Sequence, residues 1–149
     1  MRCGGKVLIL GYGNPIRGDD GFGCHVARRL AAGTIDPAID IRELHQLTPE
    51  LAEPVSQAAH VIFIDAARDG LPGDLRRESI SPEPAGAFTH HLTPSALLAC
   101  ARELYGRAPE ATLFTAAGAS FGYTMSLSEA IQCAADQVSR QVLSLLQKL

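Results

Sequence analysis

The stretch Gly11-Tyr12-Gly13-Asn14-Pro15-Ile16-Arg17-Gly18-Asp19-Asp20-Gly21-Phe22-Gly23 puts two adjacent carboxylates at the end of a glycine-rich loop. A dinucleotide fingerprint needs GxGxxG. Gly11 and Gly13 fit it, but Ile16 occupies the third glycine position and no ribose-binding acid follows. A phosphate loop needs GxxxxGK[ST]. Gly13 and Gly18 have that spacing, yet Asp19 and Asp20 stand where a lysine and a hydroxyl belong. Two carboxylates repel phosphate and attract a cation. A phosphoacceptor receiver would use Asp19, Asp20 and Asp65, but it also needs a lysine just after the fifth strand, and nothing between Lys6 and Lys148 is a lysine. The plainest alternative is a turn in which one aspartate caps the next helix. A single helix start needs a single cap, so Asp19 is assigned to the cap and Asp20 to function.

Asp65 closes the apolar run Val61–Ile64. A carboxylate at the tip of a central strand costs free energy unless a cation or donors face it. His90 and His91 precede Thr93-Pro94. Adjacent side chains in an extended stretch point opposite ways, so one of the two reaches a common site. His25 falls in a helix and His60 at a strand start, while His45 follows the second strand and is harder to set aside. Asp20, Asp65 and one histidine, from three strand ends, form a two-oxygen, one-imidazole set. Such a set suits a borderline or hard divalent ion and leaves positions open for substrate or water.

The elements that must carry these residues are legible in part. Val7–Leu10 and Val61–Ile64 are continuous apolar runs, the pattern of strands buried on both faces of a parallel sheet. Thr112–Ala116 is a third strand, and Ile39–Leu44 and Leu75–Ile80 are more polar candidates for edges. Phe22, Val26 and Leu30 share a helix face. Thr48-Pro49 and Thr93-Pro94 read as helix starts with proline at the first helical position. Ser126-Leu127-Ser128-Glu129 reads as a capping box, followed by helical spacing from Leu127 to Leu145. The Pro-, Ala- and Gly-rich Ser81–Thr89 reads as an exposed loop. Strands alternating with helices predict a three-layer α/β sandwich, with its site beyond the carboxyl ends of the strands.

Composition narrows the class. The chain has 149 residues, the size of one domain, and carries a net charge of -3. Its basic residues gather into no stripe, which excludes a nucleic-acid surface. The four cysteines form no CxxC pair, excluding a zinc ribbon or a thioredoxin-like motif. No segment reads as a signal peptide or a membrane span, so the expectation is a cytoplasmic monomer with free thiols.

These residues also carry a family likeness. LGYGNPIRGDDGFG resembles the GxGNxxxxD(D/E)GxG opening of the nickel–iron hydrogenase maturation endopeptidases. FIDA, HHLTPSALL and GASFGYTMSLSEAI resemble the later blocks in order and spacing, so that the likeness spans nearly the whole chain. It implies one domain over residues 1–149, with a five-stranded sheet, one strand antiparallel, and helices on both faces. It also implies an endopeptidase that trims a C-terminal extension from the precursor of a hydrogenase large subunit after nickel insertion. The family's metal-contacting residues fall on Asp20, Asp65 and His91, with His90 as the alternative histidine. The ion implied is the substrate's own nickel, for which zinc or cadmium can substitute. Glu43–Thr48 departs from the family pattern, in which an acid followed by glycines and threonine is common. A non-catalytic, metal-dependent checkpoint module docking on the same immature subunit would use the same residues and cut nothing.

Overall fold

The computed structural model describes residues 5–83 and 92–149. Its strands are β1 (Val7–Tyr12), β2 (Ile39–Leu44), β3 (His60–Ala67), β4 (Leu75–Ile80) and β5 (Glu110–Ala117). The helices are α1 (Phe22–Gly33), α2 (Ala52–Gln57), α3 (Pro94–Tyr105) and α4 (Glu129–Lys148). The strands form one sheet in the order β2-β1-β3-β5-β4. All neighbours are parallel except the β4–β5 pair, which is antiparallel.

Alternation along the central strands sorts the core into two layers. Val7, Ile9, Ile62 and Ile64 point to one side and pack with α1 and α4 through Phe22, Val26, Ile131 and Val138. Leu8, Leu10, Val61 and Phe63 point to the other and pack with α2 and α3 through Val55, Leu97 and Leu98. Residues 61–64 are all fully buried, which is why this strand is apolar without a break. The edge strand β4 is mostly exposed through Arg76, Arg77 and Glu78, which blunts it against pairing with another chain.

After β1 the chain turns to β2 on one side, and β3 then returns to β1's other side. The strand order thus reverses at β1 and β3, which opens a crevice beyond their carboxyl ends. The start of α1 is pressed into that point. A Cβ on Gly23 would lie 2.3 Å from the Ile64 carbonyl oxygen, so only glycine lets the helix sit there. Gly13 has φ of +141°, and a Cβ on it would meet the Asp20 carbonyl oxygen at 2.0 Å. These approaches hold the aspartate loop against the strand tips.

The helix starts differ from expectation in two places. Thr93 does cap α3, its Oγ1 accepting from the Ala96 N–H at 3.1 Å. Thr48-Pro49 instead opens a short 3-10 turn, Pro49–Leu51, and no side-chain cap forms there. The Ser126 capping box does not form either. The N-cap of α4 is Ser128, and its hydroxyl is turned elsewhere.

Candidate active site

Asp20 lies in the 3-10 turn Gly18–Gly21, between β1 and α1. Its Oδ2 accepts from the Asn14 N–H at 2.8 Å, which ties the carboxylate back across the glycine loop. Asp65 lies in β3, two residues before the strand ends. The β1–β3 ladder sets Gly11 opposite Ile64, so the next step sets Tyr12 beside Asp65 on the same face. The Tyr12 phenol hydrogen-bonds to the Asp65 carboxylate, and the Ala66 N–H donates to Asp65 Oδ1 at 2.8 Å.

Both aspartates line one open cleft of about 970 Å³. Its walls include Tyr12, His45, Arg68, Leu92 and Cys100. The segment that departs from the family pattern therefore has two parts. Glu43 is turned outward and ion-pairs with Arg28 of α1, whereas His45–Pro49 form a wall of the cleft. Of the histidines set aside on sequence, His60 bonds Thr112 Oγ1 at 3.0 Å at the far end of β3, and His45 is the one that reaches the cleft. His90 and His91 lie outside the described residues.

Burial pushes the Asp65 carboxyl up to about 7, and the charge of Asp20 pushes in the same direction against the opposing hydrogen bonds. The same burial, with Asp65 beside it, drives the Tyr12 phenol far above its ordinary value and keeps it a neutral donor. A divalent cation needs the ionised carboxylate, so it must displace a proton near neutral pH. Cadmium affinity is expected to rise steeply between pH 5.5 and about 7.5 and then level off. Calorimetry at pH 6.5 in buffers of different ionisation enthalpy should show roughly half a proton or more released per ion. Binding that is independent of pH and buffer would contradict this.

The sign for stability is opposite to that of an ordinary salt-bridged acid. Asp65 adds nothing below its unfolded value near 3.8, and its cost grows as pH rises through about 7. Above that the cost is constant, at most about 4 kcal/mol.

Asp19 does not cap α1. Neither the 3-10 turn nor α1 has a side-chain cap, and the cap position of α1 is Gly21. Asp19 is 0% exposed and reaches across to the chain beyond β5. Its Oδ2 accepts from the N–H groups of Ala119 and Ser120 at 2.7 and 3.0 Å and from the Ser128 hydroxyl at 2.7 Å. Its Oδ1 accepts from the Ser128 N–H at 2.7 Å. Burial alone would raise this carboxyl; the bonds from Ser128, Ala119 and Ser120 outweigh it and hold the group below its ordinary value. The segment from Ala119 to Ser128 is thereby fastened beside the cleft. No local sequence signal marks this role, because the partners lie about a hundred residues away.

The donor set can be tested against a metal on these residues alone. Asp20 and Asp65 supply two carboxylates in one cleft, with oxygens beyond those already bonded to backbone. Among the described residues no group of three or more His, Cys, Asp or Glu could hold an ion. The described residues therefore make a partial seat, which a further imidazole or donors from a substrate would complete.

No protein-family model matches the chain, and no curated protein matches it. Solved structures do. A [NiFe] hydrogenase maturation protease, HycI from Thermococcus kodakarensis KOD1, is 25% identical, with a TM-score of 0.75 over 95% of this chain and 92% of its own. The hydrogenase 2 maturation peptidase of Thaumarchaeota archaeon SCGC_AB-539-E09 is 26% identical, with a TM-score of 0.73 over 95% and 97%. The E. coli hydrogenase maturating endopeptidase HybD, at 20% identity, shares the fold with a TM-score of 0.79 over 96% and 93%. Fold and likeness together place the chain among hydrolases built on a doubly wound α/β sheet. Within that class it is similar to the hydrogenase maturation proteases.

Proposed function

We propose that this protein is the endopeptidase that removes a C-terminal extension from the large subunit of a nickel–iron hydrogenase once nickel is in place, and that it does so in the cytoplasm. The observation that carries the reading is that Asp20, from the turn after β1, and Asp65, from the end of the neighbouring β3, line one open cleft of about 970 Å³. In this reading the ion arrives with the substrate rather than being held permanently by the enzyme. Nickel is in this sense part of the substrate. Asp20 and Asp65 bind it, His91 joins them (His90 being the alternative), and the scissile peptide is held alongside. Leu92, the residue after His91, lines the same cleft. Zinc or cadmium would occupy the same donors in a substrate-free protein.

The bound ion would polarise a carbonyl or acidify a water. The chain's own contribution is orientation and proton transfer. Tyr12, neutral and bonded to Asp65, fixes the orientation of that carboxylate. A carboxyl that titrates near 7 is also matched to general-base work at physiological pH.

The test is to mix purified protein with a nickel-loaded large-subunit precursor and follow both mass and complex formation. The proposal expects a shortened subunit and a free C-terminal fragment, with turnover. A lasting complex without shortening would instead mark a checkpoint module that docks and cuts nothing. His91→Ala, compared with His90→Ala, identifies the imidazole: the former is expected to stop trimming and the latter to leave most of it.

A further inference from the structure

Two arginines, Arg68 in the cleft and Arg17 on the segment beside it, have no carboxylate partner among the described residues. Arg68 lines the cleft with Asp20 and Asp65, and its guanidinium lies over the Phe121 ring at 4.2 Å from the centroid. Arg17 holds the same residue by its backbone, Nε donating to the Phe121 carbonyl at 3.2 Å. The Arg17 guanidinium also lies over Tyr123, at 4.5 Å from the ring centroid. Among the described residues Arg17 and Arg68 are without an ion pair, as are Arg77, Arg102, Arg107 and Arg140, but of these six only Arg68 lines the cleft.

Ring stacking uses the face of a guanidinium and leaves its in-plane N–H donors available. A stacked arginine also loses less freedom on binding, because its plane is already set. The platform is firm: Asp19 fastens Ala119, Ser120 and Ser128, the Gly18 N–H donates to the Thr124 carbonyl at 2.8 Å, and the Thr124 N–H donates to the Ile16 carbonyl at 3.0 Å. The segment therefore orients Arg68 beside the two carboxylates of the cleft, with Arg17 fixed on the same aromatic segment. A purely cationic ligand would be repelled by the arginines, and a purely anionic one by Asp20 and Asp65. A ligand that brings a metal ion and, a short way along the chain, a carboxylate satisfies both.

We propose that Arg68, with Arg17 beside it, is a carboxylate-recognition site that selects a substrate segment bearing an acidic side chain or a free C-terminal carboxylate next to the ion seat. The inference rests on the reading that a peptide occupies this cleft, and it makes Arg68 a specificity residue.

Three fluorescent decapeptides of otherwise identical polar sequence test it by anisotropy in the presence of cadmium. One carries two glutamates and a C-terminal amide, the second carries glutamines and a free C-terminus, and the third carries glutamines and an amide. The wild-type protein is expected to bind at least one of the first two roughly tenfold tighter than the third, and the preferred one identifies the source of the carboxylate. Arg68→Ala should abolish that preference, and Arg68→Lys should restore only part of it. Equal binding of all three peptides, or a preference that survives Arg68→Ala, would overturn the proposal. In the precursor assay Arg68→Ala should raise KM about tenfold with kcat largely kept. If the wild type discriminates among peptides yet never shortens the precursor, the protease reading falls and the arginine site stands. If trimming proceeds and Arg68→Ala leaves KM and peptide preference untouched, the arginine site falls and the protease reading stands.

Discussion

Asp20→Asn and Asp65→Asn are each expected to lower trimming of a nickel-loaded precursor by roughly a hundredfold to a thousandfold or more. Both substitutions keep shape and remove charge. In Asp20→Asn the new amide oxygen can still accept from the Asn14 N–H, so the glycine loop is retained and stability should change by no more than about 1 kcal/mol. Asp65→Asn removes a carboxylate that is costly to ionise where it stands, so above pH 7 the variant should be as stable as the wild type or more so. Loss of activity with unchanged or improved stability is the signature of a group kept for function rather than for folding. Thermal melts at pH 8 beside rates from intact-mass time courses check both halves. A variant that loses activity only in proportion to a lost fold would make these aspartates structural.

The largest effect on stability is expected at the neighbouring residue. Asp19→Ala would leave unpaired the N–H groups of Ala119, Ser120 and Ser128 and the Ser128 hydroxyl, at a fully buried position. Each lost charge-assisted bond costs about 1 to 3 kcal/mol, less whatever water recovers, so a total near 3 to 5 kcal/mol is expected. Asp19→Asn keeps the shape but turns an acceptor-only group into one with an N–H₂ that faces donors, and should cost nearly as much. Because the folded carboxyl titrates below its ordinary value, its stabilisation is complete above pH 4 and is lost as pH falls further. The gap between wild type and Asp19→Ala in urea midpoint should therefore narrow in acid. A constant gap from pH 7 to pH 3 would contradict this account.

The contrast between Asp19 and Asp20 shows how far the sequence could be read. β1, β3 and β5 were legible because a strand buried on both faces leaves a continuous apolar run, as Val61–Ile64 does. β4 was legible as a polar edge candidate over Leu75–Ile80, but its antiparallel direction was not. It is an exposed edge whose direction is set by pairing with β5, and only the family likeness anticipated it. Asp20 and Asp65 were marked by position, each near a strand's carboxyl end with no local reason for a charge. Asp19 was misassigned because a capping acid and an acid bound to a distant loop look alike in sequence. The same contact explains the misplaced capping box: the Ser128 hydroxyl donates to Asp19, so it is not the acceptor that would cap α4. Arg68 was overlooked, since nothing in FIDAAR shows that Phe121 will lie beneath that side chain.

The account rests on the claim that two carboxylates at the sheet's switch point engage a metal-loaded substrate. The most direct test incubates wild-type protein and an Asp20→Asn/Asp65→Asn double variant with nickel-loaded and nickel-free precursor, each followed by intact-mass measurement. The account predicts that a shortened subunit forms only where wild-type protein meets nickel-loaded precursor. Equal trimming of the nickel-free precursor, or trimming by the double variant at the wild-type rate, would contradict it.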